Sequence, residues 1–182
     1  MSLTESQVKM NPGDKSPDFS LQGTDGKTHS LDSFSGKEGY LIVFMCNHCP
    51  YVIAKTDALN ALQEKFGDKI AIIGINSSDP AYPGEGMDKM KAFVEEKGLQ
   101  FPYLLDDAQT VAKAYGAVCT PDPFLFDKEG KLVFHGRINN AMQPEDTATE
   151  DTMGQVISQM LAGEAIDPEL KPSMGCSIKW IE

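Results

Sequence analysis

The sequence predicts an α/β protein of three layers, a central mixed β-sheet flanked by helices on both faces. Three observations predict it. Tyr40 to Met45 and Lys69 to Ile75 are apolar at almost every position. A strand with no polar side must be covered on both faces, as in the middle of a helix-flanked sheet. Stretches with helical spacing of apolar residues alternate with these strands. Finally, 182 residues with 41% hydrophobic and 24% charged content match one domain with one core.

The elements follow in order. Phe19-Ser20-Leu21 and Thr28 to Leu31 flank the turn Thr24-Asp25-Gly26, and both arms alternate apolar with polar, which predicts an antiparallel hairpin. The strand Tyr40 to Met45 leads through Cys46-Asn47-His48-Cys49 into a helix over Pro50 to Phe66, where Val52, Ile53, Leu59, Leu62 and Phe66 recur at helical spacing and Gly67 ends the pattern. Lys69 to Ile75 is the second buried strand. Ser77 to Gly86, rich in Pro and Gly, reads as an irregular exposed loop. An amphipathic helix over Met87 to Gly98, a short strand at Tyr103 to Leu105 and a short helix from Ala108 to Tyr115 come next. Phe124-Leu125-Phe126, the turn Asp127 to Gly130 and Lys131 to Ile138 form a second hairpin, and Thr152 to Leu161 is the last helix. The domain spans 1–182, with a core of about 13–163 and a Pro-containing C-terminal tail over 164–182. No repeat or linker divides it.

Composition narrows the function. No apolar run approaches the roughly 20 residues of a membrane span, and the N-terminal stretch lacks the apolar core of a secretory signal, so the expected location is the cytoplasm. A net charge of -11, with scattered lysines and Arg137 as the single arginine, argues against a nucleic-acid partner. Four cysteines stand at 46, 49, 119 and 176. In a reducing compartment, closely spaced thiols are more often catalytic or metal-binding than structural.

Cys46 and Cys49 carry the chemistry. A cysteine just before a helix has its sulfur near unpaired backbone N–H groups, which favour thiolate over thiol. Cys49, one turn later, is within bonding reach of Cys46, so the pair can cycle between dithiol and disulfide. Pro50 suits a first helical turn, where its missing N–H has no partner to lose. His48 lies between the sulfurs and, if protonated, further stabilises thiolate. Zinc is the alternative reading, completed by His48, Cys119 or Cys176, but no second closely spaced pair accompanies the first, and neither a metal nor an organic cofactor is required.

With Pro17-Asp18-Phe19 and its hairpin, Val43 to Pro50, the inserted helix and strand between about 87 and 105, and Thr120-Pro121 before Phe124 to Asp127, the chain resembles the thioredoxin superfamily over about 13–163. Within it, the resemblance is to the redoxin branch of peroxiredoxin-like and alkyl hydroperoxide reductase/thiol-specific antioxidant proteins. It implies a thioredoxin-like fold with an N-terminal β-hairpin and a redoxin-type insertion. It also implies Cys46 as nucleophile, Cys49 as resolving thiol, and Pro121 as a cis-proline packed on the pair, with Thr120 offering backbone hydrogen bonds to an extended substrate. The tail Gly175 to Trp180 looks like that of a peroxiredoxin-like subgroup sharing the CNHCP motif. Two features depart from the pattern. Val43 stands three residues before Cys46, where a peroxidatic frame has Thr or Ser, and Tyr40 to Met45 lacks the buried acid that in thioredoxin takes a proton from the second cysteine.

Position alone makes Cys119 and Cys176 a candidate second redox pair, or Cys176 a relay to Cys46. Arg137 reads as half of a surface ion pair, and His29 and His135 as solvent-facing strand residues. The function expected first is a thiol-disulfide oxidoreductase acting on protein or small-molecule disulfides with a cellular thiol reductant. The alternatives are a thiol-dependent peroxidase acting on a hydroperoxide, and a non-catalytic or metal-binding module.

Overall fold

The structure, a computed structural model, describes residues 3–167, 169 and 171–182. Its centre is a seven-stranded sheet in the order β3-β2-β6-β5-β4-β8-β9. The strands are β2 (Ser20–Gly23), β3 (Thr28–Ser30), β4 (Gly39–Phe44), β5 (Ile70–Asn76), β6 (Tyr103–Leu105), β8 (Asp122–Asp127) and β9 (Leu132–His135). β4, β5 and β6 run parallel, while β8 pairs antiparallel with β4, and β2 with β6. The sheet is therefore mixed, as the sequence predicts, with both apolar runs at its middle.

The lack of polar positions in β4 has a direct cause. Leu41 and Val43 pack in one apolar cluster with Leu59, Leu62 and Phe66 of α2 (Thr56–Phe66), Met90 and Phe93 of α3 (Met87–Lys97), and Met153 and Ile157 of α5 (Thr152–Ala162). Ile42 and Phe44 belong to a second cluster on the opposite face, with Val111, Ala112 and Tyr115 of α4 (Thr110–Tyr115). Successive side chains of a strand point to opposite faces, so each residue of β4 meets a different layer. On the α4 side, Tyr115 meets Phe44, Phe124 and Phe126 edge-on at centroid distances of 5.3, 5.6 and 5.9 Å. Each such contact adds about 0.5–1.5 kcal/mol beyond area burial.

Three features differ from the sequence reading. The helix expected from Pro50 to Phe66 is two pieces, α1 (Pro50–Ile53) and α2, because Lys55 N–H closes a tight bond to Val52 O and Thr56 Oγ1 caps Ile53 O. The Lys55 side chain is drawn inward at the break, and its ammonium donates to Ala141 O at 2.6 Å. The loop from Ser77 to Gly86 is not wholly exposed, since Ser77, Ser78 and Glu85 are buried. The tail, described except at 168 and 170, carries a strand. β10 (Met174–Ser177) lies between β1 (Leu3–Glu5) and β7 (Cys119–Thr120) in a three-stranded antiparallel sheet. No described helix is long and apolar enough to cross a membrane.

Candidate active site

The site forms where β4 ends. Cys46, Asn47 and His48 lie in an irregular turn, and Cys49 occupies the N-cap position of α1 with Pro50 in its first turn. This corrects the placement of Cys46. It precedes the cap by three residues, so the helical N–H groups serve Cys49, and the four-residue α1 is too short to supply a strong dipole.

Across the turn stands the Thr120–Pro121 peptide, which is cis. Thr120 Oγ1 lies 3.1 Å from Cys46 Sγ, and the Thr120 carbonyl oxygen lies 3.4 Å from Cys49 Sγ. Cys49 Sγ is also 2.8 Å from Cys176 Sγ. The sulfur of Cys49 is therefore central, with Cys46 on one side and Cys176 on the other. All four cysteines are buried.

Electrostatics divide the sulfurs. A hydrogen bond from the Cys46 thiol, offset in part by burial and reinforced by Cys176 and the Val52 N–H, draws Cys49 down to about 5. Cys46 is held well above the ordinary thiol range by that same bond to Cys49, by burial and by the negative charges of Cys49 and Glu85. Burial, with the bond to Cys49, pushes Cys176 up to about 12. Cys119 is pushed up by burial, then by the charge of Asp122.

Glu85 is the functional residue that the sequence reading missed. Its side chain is fully buried, and its Oε1 accepts from Asn47 N–H at 3.0 Å and His48 N–H at 3.1 Å and meets His48 Nδ1, while Oε2 accepts from Asn76 Nδ2 at 2.6 Å. The buried acid lacking in β4 thus arrives from a loop, and it ties the Cys46 to Cys49 turn to β5. Gly84, at φ +92° and with His48 Cβ 3.5 Å from where its own Cβ would stand, lets this loop close over the turn. The only sequence signal was an acid, one of two, in a Gly- and Pro-rich loop. Cys46, His48 and Glu85 offer ligand atoms within 4.8 Å of one another, a donor set that suits zinc, although His48 Nδ1 and Glu85 already engage each other.

Other expected residues fall differently. Cys176 pairs in register with Thr120 and Ser177 with Cys119, so Cys119 points to the face opposite Cys176, and the two expected as a second pair are not brought together. His135 is not solvent-facing. It is buried, 2.6 Å from Asp122 Oδ1 and stacked on Phe124 at 3.9 Å. Arg137 meets Glu150 at 3.5 Å, as an ion pair.

The mixed sheet with its Cys-x-x-Cys turn at the end of β4 has the thioredoxin-like fold, and its relatives make the chain an oxidoreductase of the thioredoxin superfamily. The protein shares 35% identity with an uncharacterized conserved protein from Geobacillus kaustophilus, whose crystal structure superposes with a TM-score of 0.93, covering 100% of this chain and 97% of that one. The chain belongs to the AhpC/TSA family, whose model matches residues 12–135. It is 30% identical to the thiol-disulfide oxidoreductase ResA of Bacillus thuringiensis (strain Al Hakam) over 69% of each chain. It is 29% identical to chloroplastic peroxiredoxin Q of Populus jackii over 76% of this chain and 64% of that one.

Proposed function

We propose that Cys46 and Cys49 exchange disulfides with an extended peptide or small-molecule substrate, Cys46 attacking first and Cys49 resolving. Cys49 Sγ already contacts the Thr120 carbonyl oxygen and Cys176 Sγ, which favours Cys46 as the sulfur offered to a substrate. As Cys46 attacks, its proton passes to the Cys49 thiolate, one substrate S–S bond breaks, and a mixed disulfide forms. The departing substrate thiolate takes the proton from Cys49. Cys49 then attacks Cys46 and releases the second substrate sulfur, leaving a Cys46–Cys49 disulfide for a cellular dithiol to reduce. A reducing cytoplasm would supply those electrons.

The observation that carries this reading is the placing of both sulfurs against Thr120, with Cys46 Sγ 3.1 Å from its hydroxyl and Cys49 Sγ 3.4 Å from its carbonyl oxygen. Cys49→Ser should stop the reaction at a mixed disulfide on Cys46, identified by mass spectrometry after mixing with a peptide disulfide. A mixed disulfide formed instead on Cys49 of Cys46→Ser, at the wild-type rate, would reverse the roles.

A second reading, hydroperoxide reduction, is favoured by the Thr120 hydroxyl 3.1 Å from Cys46 Sγ, which places a hydroxyl beside the sulfur although Val43 stands three residues upstream. In it, Cys46 takes one peroxide oxygen as sulfenic acid, an alcohol leaves, and Cys49 closes the disulfide with loss of water. Peroxide consumption by wild type and Cys46→Ser decides between the two.

A further inference from the structure

The edge of β7 beside the site is the backbone against which an extended peptide would pair to bring a disulfide to Cys46 and Cys49. In this chain β10 already occupies it. Cys176 pairs in register with Thr120 and Ser177 with Cys119, and Ile178 N–H donates to Val118 O at 3.0 Å. The strand is anchored at its start, where Ser173 Oγ donates to Pro121 O at 2.5 Å and Ser173 N–H to Ser6 Oγ at 3.0 Å. Gly175 makes the approach close enough, since a Cβ there would fall 1.8 Å from the Thr120 carbonyl oxygen. A cysteine of the chain itself is thus delivered to the site, its Sγ 2.8 Å from Cys49 Sγ.

We propose that Cys176 is a third redox cysteine of this site: Cys49 forms disulfides alternately with Cys46 and with Cys176, and the Cys49–Cys176 bond fastens β10 over the edge that an incoming peptide uses. The proposal rests on the reading of Cys46 and Cys49 as the primary dithiol. Once substrate has oxidised that pair, the Cys176 sulfur attacks Cys49, the Cys46–Cys49 bond breaks, and a Cys49–Cys176 bond forms. Cys176 is oxidised and Cys46 is reduced, and the proton of Cys176 ends on Cys46. No further oxidant is consumed. Cys46 regains its thiol while the chain remains oxidised, and a dithiol reductant returns Cys49 and Cys176 to thiols.

Full-length wild type, Cys46→Ser, Cys176→Ser and Gly175→Val are equilibrated in oxidised and reduced dithiothreitol, alkylated in acid and mapped by mass spectrometry. Wild type should show both disulfides, with Cys46 alkylated in the Cys49–Cys176 form. Cys46→Ser should show only Cys49–Cys176, and Cys176→Ser only Cys46–Cys49. Gly175→Val should keep Cys46–Cys49 while Cys49–Cys176 falls by about tenfold or more, as the strand loses its high local concentration at the edge. The same variant should reduce a peptide disulfide faster than wild type. Absence of Cys49–Cys176 from both wild type and Cys46→Ser, with Cys46–Cys49 intact in Cys176→Ser, overturns the relay and leaves the primary reading standing. Absence of both disulfides overturns the primary reading and the relay with it.

Discussion

Two buried carboxylate–histidine pairs lie near the cysteines, Glu85 with His48 on one side and Asp122 with His135 on the other. Both carboxylates are fully enclosed, yet their surroundings differ. Glu85 also accepts from two backbone N–H groups of the Cys46 to Cys49 turn and from Asn76. Among the described residues the Asp122 carboxylate meets only His135, and its Oδ2, like His135 Nδ1, finds no hydrogen-bond partner there. Burial raises the Asp122 carboxyl, against the pull of His135. A buried acid is thus defined by its donors rather than by its depth. Glu85 organises the reactive turn; Asp122, just after Pro121, meets His135.

The largest test of that contrast is Glu85→Ala. It leaves the Asn47, His48 and Asn76 groups that meet Glu85 without that partner and should cost about 2–4 kcal/mol, read as a fall in the urea midpoint. A neutral outcome would erase the distinction between the pairs. Glu85→Gln keeps an acceptor and removes the charge, so Cys46, raised by its bond to Cys49, by burial and by Glu85, should ionise at lower pH. Its alkylation profile reads the shift.

Next is the pH dependence of Cys49. Its folded value of about 5 lies below the ordinary thiol value of about 8.5, so its contribution to the stability of the reduced protein is present above about 8.5 and lost as pH falls through about 5. The thiolate absorbance of wild type should rise near pH 5, and Cys49→Ser should lack that step.

Asp122→Asn should act more weakly and with the opposite sign. Because Asp122 binds its proton more tightly when folded, its contribution is present below the unfolded carboxyl value of about 4 and is lost as pH rises through the raised folded value. The asparagine variant should flatten that limb of the stability curve, measured by urea unfolding across pH. The smallest effect is expected from Arg137→Ala, whose partner Glu150 is partly exposed. Disulfide reduction should be unchanged and the melting temperature little moved.

Local pattern carried the fold because β4 and β5 are buried on both faces, and their unbroken apolar runs admit little else. The Cys46 to Cys49 turn and Thr120-Pro121 were legible as motifs. What stayed hidden depends on contacts across the chain. Glu85 lies 37 residues from His48 and offers no periodic signal. Met174 to Ser177 reads as tail because it is short, with Gly in place of a β-former, and the reason for that glycine is the carbonyl of Thr120, 55 positions upstream and in register with Cys176. The inward turn of the Lys55 side chain at the helix break was likewise invisible, since its partner is the carbonyl of Ala141.

The most direct test of the central claim is a single-turnover reaction of pre-reduced protein with excess peptide disulfide. Wild type should reduce one disulfide per chain, Cys49→Ser should stall as a mixed disulfide on Cys46, and Cys46→Ser should react more slowly by on the order of 10³-fold or more. Retention of the wild-type rate by Cys46→Ser would contradict it.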